Sequence, residues 1–108
     1  MLTWILVLAL GLSTGADIVT TDRAQRRGAV EIGSPALLTR HPSPARAAWG
    51  LGGISAAEAG ALVATRRHGP RWIRWAVRGL VVAEVAGHVY GAACNEGICP
   101  RGRGGVCR

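Results

Sequence analysis

The chain contains no lysine, and its six acidic residues face thirteen arginines, for a formal net charge of +7 over 108 residues. In a sequence this rich in alanine and glycine, all-arginine basicity is what a GC-rich genome tends to produce. No recognised nucleic-acid module accompanies it, so no nucleic-acid partner is expected. The short motifs of soluble catalysis are missing as well: no Walker, Rossmann, zinc-protease or nucleophile-elbow pattern occurs, and neither an enzyme nor a cofactor is expected. A large soluble core is excluded by length, and with 49% hydrophobic residues and a mean hydropathy of +0.24 the chain is a poor water-soluble domain. Arginines set between long apolar runs suit loops held against an anionic membrane surface.

Two further absences narrow the choice. Cys94, Cys99 and Cys107 lie five and eight residues apart, with neither a Cys-x-x-Cys pair nor a nearby histidine, so no metal is expected there. One disulfide could form in this tail, but an odd count leaves a free thiol, and a cytoplasmic location would keep all three reduced. No side-chain positive charge precedes the apolar stretch that opens at Leu2, which disfavours a cleaved signal peptide, although its length and the small residues Thr14-Gly15-Ala16 would fit one.

What is present reads as an all-α membrane bundle of three transmembrane helices, at about 2–20, 47–65 and 72–93, with 94–108 a flexible Gly/Arg/Cys tail. The segment from Trp72 to Ala93 organises the rest: its 22 positions reach about 33 Å, and it carries Arg78, Glu84 and His88. Small residues recur every fourth position, at Gly79, Ala83, Gly87 and Gly91 here and at Gly11 and Gly15 in the first span, and predict close helix approach. The second span carries two such ladders, Gly53, Ala57 and Ala61 on one face and Gly52, Ala56, Gly60 and Ala64 on another. That is the profile of a middle helix, and Glu58 lies near its centre. The first helix is expected to continue through Asp22–Arg27 and stop at Gly28. Gly33-Ser34-Pro35 and His41-Pro42-Ser43-Pro44 read as turns, with a short interfacial helix at 36–39 between them.

Asp17 and Thr21 share a helix face one turn apart, with Thr20 beside them. The run Asp17-Ile18-Val19-Thr20-Thr21, then Arg27-Gly28-Ala29-Val30-Glu31 and Pro35-Ala36-Leu37-Leu38, resembles a family of uncharacterised small bacterial integral membrane proteins. Its members carry Asp-x-x-Thr-Thr followed by Gly-x-x-Glu-x-Asn-Pro-Leu. Here Ile32-Gly33-Ser34-Pro35 follows Glu31, without the Asn and with one residue more. The resemblance implies a few membrane helices and no established activity.

Arginine counts suggest an orientation. Arg23, Arg26, Arg27, Arg40 and Arg46 in the first loop, with Arg101, Arg103 and Arg108 in the tail, put eight on one side, against Arg66, Arg67, Arg71 and Arg74 on the other. The N-terminus is then outside and the tail cytoplasmic, in a bacterial inner membrane. Intramembrane ionisable residues cost several kcal/mol unless paired, so Asp17, Glu58, Arg78, Glu84 and His88 are the candidate site, an intramembrane polar cluster. Glu84 and His88, spaced i, i+4, are expected to hydrogen-bond rather than to bind metal, because two ligands are too few.

With helix ends aligned, equal depth pairs Glu58 with Arg78 and Asp17 with His88, and sets Glu84 opposite Ser13 and Thr14. Trp4, Trp72 and Trp75 fall at one interface, and Trp49 and Tyr90 towards the other. The competing arrangement turns Arg78 to the headgroups beside Trp75. The expected function is that of a small non-enzymatic integral membrane protein, an accessory or regulatory subunit or a proton or ion relay, whose partners are the lipid bilayer and another membrane protein or a second copy of itself. The alternative is a phage holin-like pore former, which about a hundred residues, three spans and a basic tail also fit.

Overall fold

A computed structural model describes residues 1–28, 39 and 41–97, and among these the regular structure is three helices: α1 (Leu2–Arg26), α2 (Pro44–Thr65) and α3 (Arg71–Asn95). Each boundary has a local cause. α1 ends where Gly28 takes φ 87°, with Arg23 and Arg26 in its last turn on the negative end of the helix dipole. α2 begins three residues before the expected Ala47. Ser43 Oγ accepts the Arg46 N–H at 3.1 Å and Pro44 takes the first helical position, so the Ser-Pro pair that reads as a loop is a cap and a helix start. Gly69 at φ 91° turns the chain into Pro70 and α3, which runs two residues beyond Ala93 and takes in Cys94 and Asn95. The expected interfacial helix at 36–39 apart from Thr39, the resemblance motif from residue 29 on and the tail beyond Gly97 lie outside the described residues.

α1 packs along both of its neighbours, while α2 and α3 meet over a shorter stretch. The middle helix is therefore α1, not α2 as the two small-residue ladders suggest. Leu10, Leu62 and Val81, one from each helix and each at most 2% exposed, form a tight apolar layer flanked by Leu6, Val7, Ala59, Val77 and Val85. A smaller cluster joins Ala47 and Leu51 to Ile18. The rest of the interior is polar: Thr3, Ser13, Thr14, Thr20, Thr21, Ser55 and His88 are all buried. Outside, Ile5, Leu8, Leu12, Val19, Ile54, Leu80, Val82 and Val89 are exposed. A soluble helical domain has the opposite arrangement, with aliphatic side chains inside and polar ones outside.

α1 and α2 are long and apolar enough to cross a membrane. α3, along which Arg71, Arg74, Arg78 and Glu84 lie, does not meet the same measure, so two helices qualify and not the expected three. The small residues also behave differently from expectation. A side-chain carbon added at Gly11, Gly15, Gly53, Gly79 or Gly87 would meet nothing within 4 Å, and Ala57 and Ala83 are exposed while Ala61 is half-buried. Within this chain, then, the four-residue ladders mediate no close helix approach. Gly11, Gly15, Gly52 and Ala56 instead leave an open groove of about 350 Å³ between α1 and α2.

Gly91 is the exception, since a Cβ there would lie 3.0 Å from Asp17 Oδ1. That carboxylate is already engaged by His88 and Asn95 and cannot yield freely. Gly91→Ala is expected to destabilise the protein by about 1–2 kcal/mol, and Gly87→Ala, one turn away in open space, to leave it unchanged or slightly firmer. Equal unfolding midpoints for the two variants in detergent would contradict this packing.

Candidate functional site

The site is a column of hydrogen-bonding side chains drawn from all three helices. At its centre His88 Nδ1 lies 2.8 Å from Asp17 Oδ2, with the two side chains 7% and 14% exposed. A carboxylate can only accept, so Nδ1 carries a proton, and in the neutral ring Nε2 is an acceptor. Ser55 Oγ stands 3.5 Å from Nε2, and Thr14 Oγ1 is 2.7 Å from Ser55 Oγ. Donors and acceptors then run in one direction: Thr14 donates to Ser55, Ser55 to His88 and His88 to Asp17. Beyond Asp17, the Asn95 amide donates to Thr21 Oγ1 (3.0 Å), Thr20 Oγ1 (3.2 Å) and Asp17 Oδ1 (3.5 Å). Arg27 caps this end by donating from Nη2 to the Asn95 carbonyl at 2.7 Å. Glu96 lies 3.9 Å from both Arg23 and Arg27, an exposed cluster of little energetic weight.

The Asp17–His88 pairing expected from depth is present because α1 and α3 run the same way and keep their register: Leu10 meets Val81 and, seven residues on, Asp17 meets His88. The expected Glu58–Arg78 contact does not form. Leu62 packs on Val81 and Ser55 faces His88, so position 58 stands opposite Val85, and Arg78 opposite Thr65. This register is displaced by seven residues, about 10 Å, from the one that aligned helix ends would give. The first two turns of α3 overhang the end of α2, which keeps Arg71, Arg74 and Arg78 out of the interior. Arg78 lies over the Trp75 ring at 5.5 Å and Arg66 over Trp4 at 5.5 Å, so arginine and tryptophan gather at that end.

Glu58 is left beside Glu84 and His88, within electrostatic reach of both, with its Oε2 buried and without a hydrogen-bond partner. Glu84 sits one turn from His88, its Oε2 3.8 Å from Nε2, too far for the expected hydrogen bond, while the α1–α3 register puts position 84 level with Ser13 as expected from depth. Of the five expected site residues, the fold brings together Asp17, His88, Glu84 and Glu58 and sends Arg78 elsewhere. It adds Ser55 and Asn95, which sequence reasoning missed. Both were findable: Asn95 is seven residues, two full turns, from His88, and Ser55 is one turn from Glu58.

An unpartnered buried carboxyl is a cost. Glu58→Leu is expected to raise stability by about 1 kcal/mol, read as a higher unfolding midpoint in detergent. A lower midpoint would mean that Glu58 holds a contact this geometry lacks.

In order, Asp17, His88 and Ser55 match a hydrolase triad, with the carboxylate on Nδ1 and the hydroxyl on Nε2. The surroundings do not fit acyl transfer. Ser55 lies in the middle of α2, where its own N–H is spent on the helix and cannot serve a developing oxyanion, and its Oγ is hydrogen-bonded to Thr14 Oγ1. Among the described residues, no group of three or more His, Cys, Asp or Glu is placed to hold a metal ion. The geometry is suited to holding and moving protons. Comparison of the chain with protein-family models, with curated proteins and with solved structures gave no match.

Proposed function

We propose that the chain is a small, non-enzymatic, multi-pass protein of the bacterial inner membrane, an accessory or regulatory subunit whose three helices enclose an intramembrane polar column. One observation carries this reading: aliphatic side chains cover the outside, while inside, beside a thin apolar layer, hydroxyls and a histidine are buried. Hydrocarbon tolerates that surface and water does not, and buried polar groups in a bilayer are kept where they are used. α3 completes the bundle by turning His88 inward and leaving Arg71 and Arg74 at its end, so its charges need not meet lipid. The protein is expected to stay in membranes washed with alkaline carbonate, and release into the wash would refute the proposal. Induced expression separates it from a holin-like pore former: an accessory protein is tolerated, whereas a holin halts growth abruptly and releases a co-expressed muralytic enzyme.

The arginine count favours an outside N-terminus and a cytoplasmic C-terminus. Cys94, in the last turn of α3, is disulfide-bonded, which argues for an oxidising compartment at that same end. We adopt the arginine orientation, since eight charges against five, Arg78 included, act at insertion, before any disulfide forms. Alkaline phosphatase fused after Arg108 should then be inactive, and strong activity would reverse the orientation.

A further inference from the structure

We infer that the polar column is a one-sided proton path, which admits protons from the α1 C-terminal end through Asp17 and His88 to Glu84 and Glu58, and is closed on the other side by Leu10, Leu62 and Val81. This rests on the membrane reading above and assigns a ligand, the proton, to its polar column. Three observations carry it. The column is continuous from the surface: Arg27 and Glu96 stand at the mouth, Asn95 with Thr20 and Thr21 follows, then Asp17, then His88. It ends on a proton acceptor, because the Glu58 Oε2 atom is buried and unpartnered. One turn beyond Glu58 and Thr14 the three helices close on the apolar layer, whose members are at most 2% exposed, too dry for a proton to pass.

Among the described residues, the ionisable groups facing His88 each have a place in the path: Asp17 from α1, Glu58 from α2 and Glu84 from its own helix. Outward, the Glu84 carboxyl gives its proton to Nε2 and the imidazolium releases its Nδ1 proton to the Asp17 carboxylate. Inward transfer runs from the other tautomer, reached by a prior outward passage or by turning the ring over: Nε2 gives its proton to the Glu84 carboxylate and Nδ1 takes one from the Asp17 carboxyl. Each passage exchanges the tautomer of His88, so proton number is conserved and the ring returns to its first state on the reverse transfer or by turning over. The 3.8 Å from Glu84 to Nε2 closes to hydrogen-bond length with less than about 1 Å of side-chain movement. Ser55 Oγ, 3.5 Å from Nε2, changes from donor to acceptor once Nε2 takes the proton.

The test uses the full chain in phosphatidylethanolamine/phosphatidylglycerol vesicles containing a pH-sensitive dye, with a valinomycin-set potassium potential as the driving force. Wild-type protein should pass no more protons than empty vesicles, because the apolar layer is intact. Leu62→Asn with Val81→Thr makes that layer polar at similar volume and should raise proton flux about tenfold. Adding His88→Gln, or separately Asp17→Asn, should return the flux to the wild-type level. Flux that survives both changes, or a folded opened variant that carries none, overturns the path. A second readout needs no opened variant. The infrared band of the Glu58 carboxyl, assigned with Glu58→Gln and followed at a pH low enough to protonate it, should exchange in heavy water about tenfold more slowly in His88→Gln than in wild type, and equal rates overturn the path. Protein that washes out of the vesicles in carbonate would instead refute the membrane reading, a failure distinguishable from loss of the path alone.

Discussion

Asp17→Leu is expected to destabilise the bundle by about 2 kcal/mol, measured by reversible unfolding in mixed micelles. The carboxylate is the acceptor for His88 Nδ1 and for part of the Asn95 amide, and a buried donor stripped of its acceptor keeps its full desolvation cost. His88, at 7% side-chain exposure, has no water to turn to. The double variant Asp17→Leu/His88→Leu should recover about half of the loss, because removing both partners of a buried pair costs far less than orphaning one. Hydrogen bonds between membrane helices average only about 0.6 kcal/mol where the unfolded state finds other partners, so the coupling between the two sites, not the single effect, identifies the pair. Additive single and double effects would mean that the two side chains do not hold each other.

The second large effect is at the apolar layer. Leu62→Ala should cost about 3 kcal/mol, since the side chain is 2% exposed and wedged between Leu10 and Val81, which cannot close the void it leaves. Leu12→Ala should cost less than about 0.5 kcal/mol, because that side chain is 76% exposed. The same chemical change on the inside and the outside of one bundle isolates packing from composition. Similar unfolding midpoints for the two variants would contradict the placement of the layer.

Much of this arrangement was legible in the sequence, though unevenly. Three helices follow from apolar runs separated by Gly, Pro and Arg, and the Asp17–His88 pairing follows from two parallel helices that start at the same end. α2 defeated the same reasoning. Its register is set by Leu62 meeting Val81, a packing fact that equal-depth counting cannot contain, and a seven-residue displacement puts Glu58 beside Glu84 in place of Arg78. Spacing by fours shows that Gly79, Ala83 and Gly87 share a face, but not which way that face points, and it points outward. The charges that keep α3 from qualifying as a span by composition fall into two groups: Arg71, Arg74 and Arg78 on its overhanging end, and Glu84 beside the column.

The central claim is that His88 is sealed in a polar column, its Nδ1–H bound to Asp17 within the membrane. Nitrogen-15 NMR of histidine-labelled protein in lipid bilayers tests it directly, with His88→Gln to assign the signal and His41 and His68 as internal references. One His88 tautomer is expected, protonated at Nδ1, that exchanges with water far more slowly than the two loop histidines and loses that protection in Asp17→Leu. A His88 ring that exchanges as fast as His41 and is indifferent to Asp17 would contradict it.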